Sequence, residues 1–156
     1  GWREGMLSKV VAEYKYKSVR AAGIVLAEVL DKAIPEKWGA GEEVIVVPLP
    51  TIGRHVRERG FDHTLTLARK LAKRRKWKVE RVLARAVDTV QVGTKATERR
   101  AQAEKTYEAC GRVRKGAKYL LLDDVWTTGA SAMAADKVMR KAGAGDVSMV
   151  VIEVGK

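Results

Sequence analysis

The chain has 156 residues, 46% of them hydrophobic, which is enough for one domain with a buried core and too little for two comfortable ones. Lys and Arg number 31 against 19 Asp and Glu, a formal charge of +12 whose field recruits polyanions or simply keeps a basic surface solvated. No apolar run approaches the roughly 20 residues that span a bilayer, the first residues lack the apolar core of a secretory signal, and one cysteine excludes an internal disulfide framework or Cys-rich zinc site. The expectation is a single domain over 1–156, cytoplasmic and not membrane-inserted, with Cys110 as an ordinary buried small residue.

In chain order, Met6 to Val11 and Val19 to Ile34 carry apolar residues at helical spacing, the second interrupted by Gly23 and closed by Pro35. Val44 to Val47, "VIVV", is a continuous β-branched run of the kind that fills a strand buried on both faces, and Pro48 and Pro50 end it. Phe61 to Leu71 returns to helical spacing. Val82 to Val87 is a weaker strand candidate before the polar loop Asp88 to Thr97. Tyr119 to Leu122 is a second buried strand, Ser131 to Lys141 a helix stopped by Gly143, and Val147 to Val154 a final strand. Helices alternating with strands imply an α/β fold whose central sheet is mostly parallel and flanked by helices.

Within that frame "KYLLLDDVWTTGASAMAADKVMRKAG", Lys118 to Gly143, carries the chemistry. Asp123 and Asp124 follow an apolar strand, and ligands of open α/β sheets bind at the carboxyl ends of strands. The turn from Val125 to Gly129 opens a helix whose first N–H groups and dipole favour an anion. Thr127, Thr128 and Ser131 add hydroxyl donors, and Gly129 permits a close backbone approach. Carboxylates beside a phosphate cradle suit the vicinal hydroxyls of a ribose, so the stretch describes a ribose 5-phosphate site. An Asp-Asp pair also ends the magnesium-binding strand of P-loop nucleotidases, but the G-x-x-x-x-G-K-[ST] loop they need is missing. The bland alternative, a strand end and a turn cap, does not account for the contiguous pattern.

"LLLDDVWTTGAS" resembles the phosphoribosyl pyrophosphate (PRPP) signature of type I phosphoribosyltransferases, and "VIVVPLPTIGRHVRERGFDHTLTLARKLAKR" is similar to the ComF branch, linked to DNA uptake in competent bacteria. With "KYKSVRAAG" and "QVGTKATERRAQAEKTYEA" the likeness extends over nearly the whole chain. The resemblance implies the type I phosphoribosyltransferase fold, with Asp123 and Asp124 on the ribose hydroxyls and Val125, Trp126, Thr127, Thr128, Gly129, Ala130 and Ser131 around the 5-phosphate. It assigns Pro48, Leu49 and Pro50 to pyrophosphate, with Arg54, Arg57 and Arg59 on an adjoining mobile segment where guanidinium forks neutralise the leaving group. Mg²⁺ would be held through the ligand, with no direct protein ligand, and no catalytic residue is assigned. Displacement at the anomeric carbon would rest on positioning and on stabilising departing charge.

Two departures stand out. The Cys-rich zinc ribbon that begins many ComF-like proteins is absent from these residues, and Asp62-His63 replaces the family's usual Asn-Gln, which puts any substrate role of that pair in doubt. His55 and His63 read as loop or surface residues, too far apart for a metal pair. Gln91 and Gly93 lie in a loop that in the family faces the site, Arg99 and Arg100 are open between an acidic ligand and water, and Trp38, Trp77 and Trp126 between packing and base stacking. Lys73, Arg74, Arg75, Lys76 and Trp77 are the nucleic-acid candidates, a basic run with an aromatic, equally readable as the polar end of a helix. The reading is therefore a ComF-like protein that binds PRPP or ribose 5-phosphate with Mg²⁺ and handles single-stranded DNA, with competence-machinery proteins as partners. The alternative is an active phosphoribosyltransferase acting on an unidentified base or amine.

Overall fold

A computed structural model describes residues 20–51, 53–86, 106–126 and 129–154, apart from the side chains of 20, 21, 54, 55, 59, 124–126, 153 and 154. The expected helix at Met6 to Val11 and the polar loop at Asp88 to Thr97 lie outside the described residues.

The described elements are α1 (Arg20–Ala33), β1 (Val44–Pro48), α2 (Gly53–Arg59), α3 (His63–Arg75), β2 (Lys78–Val79), β3 (Leu83–Arg85), β4 (Tyr107–Ala109), β5 (Lys118–Trp126), α4 (Ala130–Lys141) and β6 (Asp146–Val154). Four strands form one parallel sheet in the order β2-β1-β5-β6, while β3 and β4 pair antiparallel as a separate ribbon. Every residue of β1 is buried, as a β-branched run covered on both faces requires.

The period-2 alternation of the strands splits the interior into two cores. Val46, Leu120, Leu122, Val150 and Ile152 face α1 and α3, meeting Leu26, Leu30, Leu67 and Leu71. Ile45, Val47, Tyr119 and Leu121 face the other way, onto Ala135 and Met139 of α4 and onto Leu83 and Tyr107 of the ribbon. Each fully buried Leu contributes about 1.5 to 3 kcal/mol of transfer free energy, so the two leucine-rich faces of β5 hold the layers together.

Several expectations are corrected. The strand expected over Tyr119 to Leu122 runs on to Trp126, so Asp123 and Asp124 lie within β5 and not at its end. The reason is β6, whose pairing continues past the apolar stretch through Asp123↔Val151, Val125↔Glu153 and Trp126↔Val154. The segment carrying Arg54, Arg57 and Arg59, to which the sequence assigned no element, is a helix, α2. His63 is 4% exposed as the first residue of α3, not a surface residue, and Cys110 is exposed, not buried. The strand expected over Val82 to Val87 belongs to the antiparallel ribbon and not to the parallel sheet.

Candidate functional site

The chain leaves β1 towards β2 on one side of the sheet and places β5 and β6 on the other, so the topology switches direction between β1 and β5. A crevice opens at the carboxyl ends of the strands at such a point. Register fixes its walls: Pro48, the last residue of β1, lies opposite Leu122, and Leu49 N–H donates to the Leu122 carbonyl at 2.9 Å. The next residue of β5, Asp123, emerges half-buried where β1 has ended.

Tyr107 of β4 is 6% exposed, and Ser131 is an exposed residue in the first turn of α4. Burial raises the Tyr107 phenol above its ordinary pKa, the Ser131 hydrogen bond and the Arg85 charge oppose that rise, and the Asp123 carboxylate adds to it. Arg85, the register partner of Tyr107 across the ribbon, holds its guanidinium carbon 5.7 Å from the ring centre. Its Nε is buried without a hydrogen-bond partner. The helix that carries Ser131 starts at Gly129, buried, with φ +74 and no side-chain cap. That left-handed conformation is inexpensive only for glycine, and it leaves the positive end of the α4 dipole uncapped by any side chain.

The loop that follows β1 carries a hydroxyl cluster. Thr51 Oγ1 donates to Asp62 Oδ1 at 3.4 Å and lies 3.3 Å from Thr64 Oγ1, while Asp62 Oδ1 also accepts from Leu65 N–H at 3.0 Å as the N-cap of α3. The loop after β1 is thereby tied to the start of α3.

No protein-family model and no curated protein matches the chain. Among solved structures it is similar to the allosteric regulatory enzyme of purine biosynthesis, with a TM-score of 0.61 and 16% identity over 91% of this chain and 30% of that one. Phosphoribosylpyrophosphate synthetase from Mycobacterium smegmatis gives a TM-score of 0.54 at 19% identity over 82% of this chain and 33% of that one. Orotate phosphoribosyltransferase from Aeropyrum pernix gives 0.52 at 16% identity, over 89% of this chain and 75% of that one. The chain has the phosphoribosyltransferase fold. It spans about a third of the length of the first two of these structures.

On this phosphoribosyltransferase fold the expected site residues fall into three groups. Asp123, Gly129, Ala130 and Ser131 come together with Tyr107, and Pro48, Leu49 and Pro50 lie at and just beyond the end of β1. Arg57 is exposed on α2, whose Arg54 and Arg59 side chains lie outside the described part. The side chains of Asp124, Val125 and Trp126, all of Thr127 and Thr128, and Gln91, Gly93, Arg99 and Arg100 also lie outside it. Tyr107 and Arg85 carry no signal in the sequence: one follows a polar stretch and the other sits in a three-residue strand, and only the ribbon joins them to Ser131. Asp62 did leave a signal, a short acid directly before the apolar periodicity of α3.

The basic run at the end of α3 is divided. Arg75 donates from Nε to Asp31 and from Nη2 to the carbonyls of Asp31 at 2.7 Å and Ile34 at 2.9 Å. Arg74 Nε reaches the same carboxylate at 3.2 Å. Trp77 meets Trp38 edge-on, with ring centres 5.5 Å apart, against the α1 and α3 core. Arg75 and Trp77 thus close the C-terminal end of α1, and Lys73 and Lys76 are left exposed.

Proposed function

We propose that the chain binds phosphoribosyl pyrophosphate, or its ribose 5-phosphate part, in the crevice between β1 and β5. The observation that carries this reading is the crevice at the switch between β1 and β5, where Asp123 emerges just past the end of β1 on the strand that leads into the uncapped N-terminal turn of α4. A carboxylate next to an anion cradle is unfavourable unless the ligand brings hydroxyl donors as well as a phosphate, and a ribose 5-phosphate brings both. In this reading Asp123 and Asp124 accept from the ribose hydroxyls, and residues 125–131 surround the 5-phosphate. Pro48, Leu49 and Pro50, with Arg54, Arg57 and Arg59 on α2, receive the pyrophosphate.

Among the described residues no three His, Cys, Asp or Glu side chains converge on a metal position. The donor set fits a Mg²⁺ that takes its oxygens from pyrophosphate and water, with the Asp123 carboxylate close at hand. When bound, such an ion neutralises pyrophosphate charge. The residues of the chain supply the positioning, with the loop after β1 held by the Thr51, Asp62 and Thr64 cluster.

The test is calorimetric titration with PRPP, with and without Mg²⁺, at near-physiological salt. Saturable, metal-dependent binding is expected, and Asp123→Asn with Asp124→Asn should abolish it while the circular dichroism spectrum stays native. Unchanged affinity in the double variant overturns the reading. Turnover with a panel of bases and amines then distinguishes an active phosphoribosyltransferase from a binding protein.

The ComF resemblance extends the proposal to one cytoplasmic domain over 1–156 that serves DNA uptake with competence proteins as partners. The charge of +12 and the exposure of Lys73 and Lys76 support a single-stranded DNA contact. No helix among the described residues is long and apolar enough to cross a membrane. Lys73→Ala with Lys76→Ala should weaken single-strand binding and flatten its salt dependence, each lost phosphate contact reducing the log-log slope by about 0.7. Binding that does not respond to salt removes the DNA part and leaves the PRPP part standing.

A further inference from the structure

The stretch from Thr51 to Asp62 leaves the end of β1, carries α2 and returns to the start of α3, and its two ends are held together. Thr51 Oγ1 donates to Asp62 Oδ1 at 3.4 Å, and it lies 3.3 Å from the hydroxyl of Thr64, a residue 2% exposed. Gly60, with φ +75, supplies the left-handed turn that brings the chain back. Inside this clasped arm the exposed Arg57 folds back along α2: its Nη1 lies 3.5 Å from where a Cβ on Gly53 would stand. The guanidinium charge therefore sits at the end of the arm that adjoins the loop after β1.

That loop offers an anion little else. Pro48 and Pro50 have no N–H, and the N–H of Leu49 is already given to the Leu122 carbonyl at 2.9 Å. An anion beside residues without a free backbone donor depends on side-chain charge, and a guanidinium is the group that forks onto phosphate oxygens. We infer that Thr51 is a positioning residue for pyrophosphate: with Asp62 and Thr64 it clasps the arm, so that Arg57 stands beside the loop after β1 ready to receive the anion. This rests on the PRPP reading above. The arm needs such a clasp, because α2 has seven residues and a helix that short does not hold its form and direction alone. A guanidinium held in place before the ligand arrives loses less freedom on binding than one on a loose arm. The clasp serves the pyrophosphate half of the ligand only, since in the same reading the ribose 5-phosphate half meets β5 and α4.

The experiment titrates inorganic pyrophosphate with Mg²⁺, and separately ribose 5-phosphate, into the wild type and its variants, with the thermal midpoint of each protein as a fold control. Thr51→Val keeps the shape of the side chain and removes the hydroxyl, and it should weaken pyrophosphate by about three- to ten-fold, the range of one hydrogen bond, while ribose 5-phosphate binds as before. Thr51→Ser, which keeps a hydroxyl, should bind both as the wild type does. Arg57→Gln should weaken pyrophosphate by at least as much as Thr51→Val, and the two changes together should cost no more than Arg57→Gln alone. Unchanged pyrophosphate affinity in Thr51→Val overturns the inference. Equal losses for the two ligands also overturn it, because the hydroxyl would then support the fold at large, and so do additive losses, because Thr51 would then act without Arg57. A wild type that binds ribose 5-phosphate but not pyrophosphate overturns the inference and leaves the ribose 5-phosphate site standing. A wild type that binds neither overturns the binding reading itself, and the inference with it.

Discussion

Asp62 shows how one side chain serves two ends of the site. Its Oδ1 caps α3 through Leu65 N–H at 3.0 Å and accepts from Thr51 at 3.4 Å, so the helix start and the loop after β1 share an anchor. Asp62→Ala should cost about 1 kcal/mol of stability, read by urea denaturation, and Asp62→Asn much less, because asparagine caps as well as aspartate. The Asp62-His63 pair therefore supplies a capping oxygen at the first position and a buried side chain at the second. Both roles are structural. The cap was legible in the sequence as a short acid before a periodic apolar run; the burial of His63 was not, because a histidine at a helix start gives no local sign of which way it turns.

At the scale of elements, Arg75 joins the ends of two helices. The last turn of α1 leaves backbone carbonyls without intrahelical partners, and Arg75 of α3 donates to those of Asp31 and Ile34 while pairing with the Asp31 carboxylate. Arg75→Ala should destabilise by about 2 to 4 kcal/mol, since charged hydrogen bonds are lost and a half-buried carboxylate loses a partner. Lys73→Ala, two residues away and exposed, should stay within about 0.5 kcal/mol. Spacing placed both residues in one basic run, and only the packing of α1 on α3 separates a structural arginine from a solvated lysine. The same limit applies to β5. Its apolar half was readable, but the continuation through Asp123 to Trp126 depends on pairing with β6, a long-range partner that no local pattern announces. Of the β3 and β4 ribbon only β3 was anticipated, within Val82 to Val87; β4 and the pairing were missed for the same reason, the two strands being three residues each and far apart in sequence.

For the whole molecule, pH and salt act on the ion pairs at its surface. Asp31 is held below the ordinary carboxylate range, chiefly by the Arg75 hydrogen bond, Glu28 by Lys32 and Glu43 by Lys78. A lowered folded pKa means that the contribution is complete above the unfolded value, about 3.9 to 4.3, and is lost as pH falls through the folded one. Stability should therefore be level from neutrality to about pH 5 and decline below about pH 4, with a shallower decline in Asp31→Asn; urea midpoints at pH 7, 5 and 3 check it. On the alkaline side Lys118 is raised by Glu42 and Asp146, so its contribution is present below its unfolded pKa and lost as pH rises through the folded one. The sequence by itself determined the charge, the α/β alternation, the buried runs of β1 and β5, and the Asp-Asp to Gly-Ala-Ser stretch, because each is a local pattern of residue types. The tertiary structure alone decided that Tyr107 and Arg85 join that stretch, that Arg75 and Trp77 are taken up in packing, and that the crevice lies between β1 and β5. Those facts depend on which distant strands pair, and strand order is fixed by the summed burial of both faces of the sheet, which no short segment encodes.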